Sequence, residues 1–569
     1  MSRRIAIGCA VLLLSLPGRA LADDDDVPKD FARLVLDTGR REVPPPLPDG
    51  YRFVIHGEYQ IRYQAQKSFV LDSSASAIAS HPGLVADSLG QNQIVTHWLR
   101  MTPRLQLRDD VELVAQADIL TGMVFGERAH DTSADESPRN DYDGFSNVQP
   151  RYLYVQYKLP VGIVRIGQQP NHWGMGILAN DGDHPSLFGD YRYGSLSDRI
   201  LFATKPGGKD SDFYVALAGD LVFRDPTAQL VKGEHAFQGV LAAFWEHAQN
   251  TVGVFSTVRH QENDKSSGSS LYSYTDSIDA VAIDLHGKVV VPVPGEDSFA
   301  FAEAEAAYIL GSTNLLRTNE QALDGTKTQI RSWGGAAIVG VAHRAHAKGF
   351  WCDKDGDPKY TSARYLGHAE DSGVPYGDVV AQVEVGYASG DADPLDGTQR
   401  RFVFDPNHKV GLLLFDEVMR WQTSRAATAA VDPLLTNTQR PTPGVDLLPS
   451  NGGVYGAQYV NPTFIYRPRH RFDLKSGMVI AQSTADVVDP YRLATTGNYV
   501  NYRGGDPKKK DLGVEVDGGF EARFPLEYDI LLQLGAQAGV LFPGGALEDP
   551  NGIRMPVQWL AMGRLGIQY

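Results

Sequence analysis

Cysteine, long apolar runs and surplus positive charge are all scarce in this chain. Of its two cysteines among 569 residues, Cys9 falls in an amino-terminal leader, which leaves Cys352 alone. A lone cysteine forms no intrachain disulfide, so stability has to come from burial and backbone hydrogen bonding. Residues 1–22 carry Arg3 and Arg4, an apolar run from Ile5 to Leu16 and the small-residue site Ala20-Leu21-Ala22, the pattern of a secretory signal peptide. Most of that apolar core follows Cys9, where a lipidation signal needs it to precede the cysteine. Cleavage takes three of the 53 basic residues and none of the 69 acidic ones, moving the formal charge from −16 to −19 and arguing against a nucleic-acid partner.

After the leader, no apolar run reaches the ~18 residues of a membrane helix. A membrane-embedded mature chain must then be a closed barrel, the other spanning structure that pairs every backbone group. The residues present fit this: 58 glycines, 25 tyrosines and 23 phenylalanines, with a mean hydropathy below zero. In a barrel only one face of each strand meets lipid.

The terminal stretch sets the period. Counting back by twos from Tyr569 gives Ile567, Leu565, Gly563, Ala561, Trp559 and Val557, with Gln568, Arg564 and Gln558 on the alternate face. That is a strand, long enough to span at about 9–11 residues. Phe53, Ile55, Tyr59, Ile61 and Tyr63 alternate in the same way with His56, Glu58, Gln60, Arg62 and Gln64. Long connections (126–147, 171–197, 262–275, 311–327, 484–510) are interleaved with short turns such as Pro160-Val161-Gly162 and Pro525-Leu526. Together these predict an all-β fold: a transmembrane antiparallel β-barrel of about 18 strands, with short periplasmic turns and long extracellular loops. Residues 23–50, acidic and then proline-rich, read as a periplasmic leader, and 51–569 as the barrel. Residues 343–376 break the rule: a long insertion stands where a short turn is due, through a missed strand pair or an unusual periplasmic segment. The segment 407–425 has apolar residues at helical spacing and predicts a helix folded over or into the mouth.

Alternation assigns the lumen. Arg62, Arg100, Arg104, Arg108, Lys158 and Arg165 give the first strands a basic inner wall. Asp284, Glu303, Glu305, Asp378, Glu384, Glu515, Asp517 and Glu521 give later strands an acidic one. Asp353, Asp355 and Asp357 around Gly356 have part of a calcium-loop spacing, but no bidentate glutamate follows, and an acidic solvated loop explains them as well. His172, Asp183 and His184 are residue types of a metal centre or a hydrolase, yet no Ser/His/acid arrangement stands out and no enzymatic activity is expected.

The stretch 166–183 (IGQQPNHWGMGILANDGD), Asp198-Arg199-Ile200, 386–391 (GYASGD) and Phe404-Asp405-Pro406 before Leu412-Leu413-Leu414-Phe415 resemble an uncharacterised family of Gram-negative outer-membrane barrel proteins. The layout is also similar to that of alginate-export-type porins, although their lumen is strongly basic and this one is mixed. The reading is a porin-like channel for small hydrophilic solutes, mildly cation-selective, in the bacterial outer membrane. It implies contact with lipid and lipopolysaccharide and recognition of the last strand by the barrel assembly machinery. The alternative is a filled barrel whose outer loops bind a partner.

Overall fold

The computed structural model describes residues 52–66, 92–126, 148–263, 276–343, 378–423 and 449–569, apart from a few positions in turns and loop tips. The leader, residues 23–50, and Asp353, Asp355 and Asp357 lie outside the described residues. Strands form where the period of two was read: β1 (Phe53–Gln66), β2 (Asn92–Arg108), β3 (Val111–Gly126), β4 (Gln149–Leu159), β5 (Gly162–Pro170), β6 (Leu196–Thr204) and β7 (Phe213–Arg224). They continue as β8 (Glu234–His247), β9 (Asn250–Asn263), β10 (Asp276–Val293), β11 (Ser298–Thr313), β12 (Thr328–His343) and β13 (Asp378–Ala388). The two-residue β14 (Thr398–Gln399) precedes β15 (Ala457–Arg469), β16 (Phe472–Ser483), β17 (Asp511–Pro525), β18 (Leu531–Pro543) and β19 (Gln558–Gln568).

Each strand pairs antiparallel with the next, β13 passes directly to β15, and β19 returns to β1, so the sheet closes. β14 adds only a short parallel pairing to β12. Eighteen strands therefore make the wall. At the seam Tyr59 faces Ile567 and Ile61 faces Leu565. Beyond β19, the Tyr569 and Gly57 amides exchange hydrogen bonds of 3.0 and 3.1 Å. A Cβ at Gly57 would lie 2.1 Å from the Tyr569 ring, so glycine there lets the terminal aromatic lie across the seam.

Among the described residues no helix is long and apolar enough to cross a membrane. The strands do so instead. Leu153, Val258, Leu285, Leu474, Phe520 and Leu565 all stand open on the outside of the wall, an apolar belt far too extensive for a water-facing surface. The chain is a transmembrane β-barrel of the bacterial outer membrane. β12 and β13 pair directly, from Gly334–Ala388 to His343–Val379, so the wall has no further strand pair between them; the insertion between these strands lies outside the described residues.

The interior holds a second apolar region. Ile177 and Phe188 from the loop after β5, Phe404, Leu412–Phe415 and Trp421 from the loop after β13, Tyr502 before β17, and Leu547 before β19 are buried together inside the wall. Loops from the long-loop end thus fold into the barrel. The helix expected over 407–425 begins later: turns lead up to residue 413, a wide helical turn spans Leu414–Met419, and α-helix follows over 420–423, where this stretch of described residues ends.

Candidate functional site: the inner wall and its two inward loops

The basic inner wall is neutralised mostly by its own neighbours. Arg100 of β2 places its Nε 2.6 Å from Asp118 of β3, and the Arg104 Nε donates to Glu112 at 2.7 Å. Arg165 donates to Gln156 at 2.7 Å and lies over the Tyr154 ring. Arg62 is buried, and Lys158 stands exposed near the short turn that follows β4. Arg108 departs from the expectation: its side chain is 70% exposed and pairs with Asp110 in the β2–β3 turn, 2.8 Å away, so it sits on the rim. A residue next to a two-residue turn is held by that turn rather than by the pleat.

The acidic wall is more buried. Asp284 and Glu305, on adjacent strands, are shut away from solvent. Glu303 accepts from His286 at 2.9 Å and lies 3.9 Å from Lys288. Glu521 is enclosed by Lys475 at 3.2 Å, Arg523 at 3.3 Å and Arg564 at 3.0 Å. Asp378 opens β13. Glu384, Glu515 and Asp517 are buried against the loop that follows β13.

The loop after β5 crosses the lumen. At one side Asp183 is gripped by Arg100, Tyr152 and Arg151, the last at 3.0 Å. At the other, the Ile177 amide donates to Glu305 at 3.3 Å, Trp173 stacks on Phe255 with ring centroids 5.5 Å apart, and the Gly189 amide reaches Gln537 of β18 at 3.0 Å. Within the loop, His172 and His184 stack with centroids 3.5 Å apart. Asp181, rather than the Asp183 singled out in the sequence, lies beside both rings: His184 Nδ1 is 3.0 Å from Asp181 Oδ1. Burial, reinforced by the His184 charge, holds the His172 imidazole down at about 4. Burial alone would raise the Asp181 carboxyl, but His184 beside it holds it well below the usual range.

The second loop rests on the first. Asp405 N donates to Ile177 O at 2.8 Å, and His408 bridges Met175 O at 3.0 Å and Glu384 of β13 at 2.9 Å. Tyr459 donates to the same Glu384 carboxylate. Burial would lower the His408 imidazole, yet the adjacent Glu384 carboxylate outweighs it and raises it. Burial pushes Asp405 up to about 7 against the hydrogen bonds from Asn407. Lys409 and Asp416 pair at 2.6 Å inside the loop. The loop then docks on Glu515, whose carboxylate takes the amides of Leu413 at 2.8 Å and Leu414 at 2.7 Å. Gly411, at φ +72°, makes the turn into this clamp, where a Cβ would stand 2.6 Å from the carboxylate.

Sequence reasoning missed Arg151 and Asp181. Arg151 is the extra residue of a β-bulge: Gln116 faces Tyr152 and Ala117 faces Pro150, which turns the Arg151 side chain inward where strict alternation does not place it. Asp181 carried a signal in its spacing to His184, but which of the two aspartates turns toward the histidines is a matter of loop path.

No family profile matches the chain, and no curated protein matches it. Solved structures do align along most of its length. OpdL of Pseudomonas aeruginosa is 8% identical, with 91% of this chain and 98% of that chain covered at a TM-score of 0.43. OccAB1 of Acinetobacter baumannii is 7% identical, with 90% and 96% covered at 0.42. A loop-deletion form of OmpT, an outer-membrane protein of Vibrio cholerae, is 9% identical, with 91% and 99% covered at 0.31. A likeness to alginate-export-type porins is not among what these comparisons show.

Proposed function

We propose that the barrel is a porin-like channel for passive diffusion of small hydrophilic solutes, narrowed by the loops after β5 and β13 and mildly selective for cations. One observation carries the reading. Below the inward loops, toward the short turns, the inner wall keeps charges of both signs partly open: Lys288 and Glu303 at 24% each and Arg104 at 14%. A half-open charged wall under a constriction is what a wet vestibule requires, because charges facing a dry interior have to be fully paired. Acidic surplus supports cation preference: the chain carries 69 acidic against 53 basic residues, and Arg100 and Arg104 of the inner wall are neutralised by neighbouring carboxylates.

The second reading, a closed barrel whose outer loops bind a partner, is favoured by the apolar core filling the long-loop half. Single-channel recording of the purified protein in planar bilayers separates the two. The channel reading expects small, cation-selective conductance under a salt gradient, with selectivity growing at low ionic strength, where the Debye length reaches ~30 Å at 0.01 M. Absence of conductance overturns it. Contact with lipopolysaccharide and recognition of Tyr569 by the assembly machinery belong to the same proposal. Calcium at Asp353, Asp355 and Asp357 rests on their spacing alone and is checked by calorimetry against Asp355→Ala.

A further inference from the structure

The loop after β5 carries a cluster that the channel reading does not use. Nδ1 or Nε2 of His172 and His184 and a carboxylate oxygen of Asp181 all lie within 4.8 Å of one another. His172 Nδ1 stands 3.9 Å from Asp181 Oδ1. It is buried and has no hydrogen-bond partner. The other nitrogen of the same ring, Nε2, lies 3.2 Å from Gly174 O, a carbonyl that can only accept. Nε2 is therefore the protonated nitrogen, and Nδ1 is left with a free lone pair directed toward the carboxylate.

The frame around the three groups is fixed from several sides. The Asp183 amide donates to Asp181 Oδ1 at 2.9 Å. Arg151 Nη2 donates to Asp181 O at 2.9 Å, and Ser195 N to Asn180 O at 2.7 Å. Gly176, at φ +77°, brings the turn close enough that a Cβ would sit 3.2 Å from the His172 ring. Asp183 itself is committed to Arg100, Arg151 and Tyr152, so it anchors the loop without competing for a ligand role.

From this the geometry points to a binding site for one divalent transition-metal ion, held by His172, Asp181 and His184 on the inward loop. Two imidazole nitrogens with one carboxylate oxygen select borderline ions such as Zn²⁺, Co²⁺ or Ni²⁺ over Mg²⁺ and Ca²⁺, which take all-oxygen shells. Three protein ligands leave a position for water or solute. Binding exchanges the His184–Asp181 hydrogen bond for two metal bonds and turns the stacked rings apart so that both lone pairs converge. The ion then cross-links the start and the middle of the constriction loop.

The test uses the full-length protein folded in detergent and is independent of conductance. Titration with Co²⁺ is followed by its visible absorption, and Zn²⁺ is titrated by calorimetry. The expected result is one equivalent bound, unaffected by excess Mg²⁺ or Ca²⁺, with affinity reduced roughly tenfold or more in His184→Ala and in His172→Ala. His260→Ala, on the exposed outer side of β9, should bind as the wild type does. Because His184 is partly exposed, its replacement leaves the loop's packing in place, and heat-modifiable migration on gels checks folding of each variant. Failure of the wild type to bind, or equal binding by wild type and His184→Ala, overturns the site.

Discussion

The carboxylate of Glu515 on β17 and the backbone amide of Leu414 are 2.7 Å apart, joined across the barrel interior. The same carboxylate takes the amide of Leu413, so one wall residue caps the start of the helical turn Leu414–Met419. A capping anion at a helix start satisfies amides that have no partner within the helix. Glu515→Ala should therefore release the loop, with a cost of at least about 1.5–3 kcal/mol, the worth of one charge-assisted hydrogen bond. The expected outcome is larger single-channel conductance and faster protease cleavage between residues 400 and 450. Unchanged conductance and unchanged cleavage count against the clamp.

The pairing of His408 with Glu384 makes the second loop sensitive to pH. His408 titrates at about 6.5 when unfolded and higher when docked, so its contribution is fully present below about 6.5 and is lost as pH rises through the docked value. Asp405 acts in the same direction, since the proton it keeps in the fold is lost as pH rises through about 7. Tyr459 stands beside the His408–Glu384 pair, and the charges of Lys409 and Asp225 act on Asp405 in opposite directions. Protease cleavage in this loop should be slow at mildly acidic pH and faster at alkaline pH, and His408→Ala should flatten the profile. A wild-type profile that is flat or inverted sinks the assignment.

The outward face of β10 should be intolerant of charge. Leu285 is 56% exposed on the apolar belt, so Leu285→Arg puts a guanidinium into lipid at about 2–4 kcal/mol. Gln382 points inward on β13, and Gln382→Arg should fold normally. Refolding yields into detergent or liposomes measure both; equal yields would mean that the two faces are exchanged.

Closure depends on the last residues. Deleting Ile567–Tyr569 removes the Tyr59–Ile567 pairing and both Gly57–Tyr569 hydrogen bonds, leaving two edges with unpaired backbone groups. Periplasmic degradation or aggregation is expected, read as loss of heat-modifiable protein from the membrane fraction. Normal membrane levels would contradict the role of the seam.

Period two and turn spacing were enough to read the wall from residues alone. Ile61, Leu565 and their alternating neighbours declare a lipid-facing side because every strand meets the same two solvents, so a local rule repeats along the chain. Tertiary structure decided how the interior is packed and paired. Gln60 has the alternation of a water-facing residue, yet it is 1% exposed because neighbouring strands and side chains cover it. Arg151 turns inward only through a bulge, Arg108 leaves the lumen through its turn, and Glu515 becomes a backbone clamp instead of a pore carboxylate. Asp181, not Asp183, meets the two histidines because Arg100, Arg151 and Tyr152 draw Asp183 away. Such contacts join residues hundreds of positions apart along paths set by loops, which have no period, so only the folded chain can assign them.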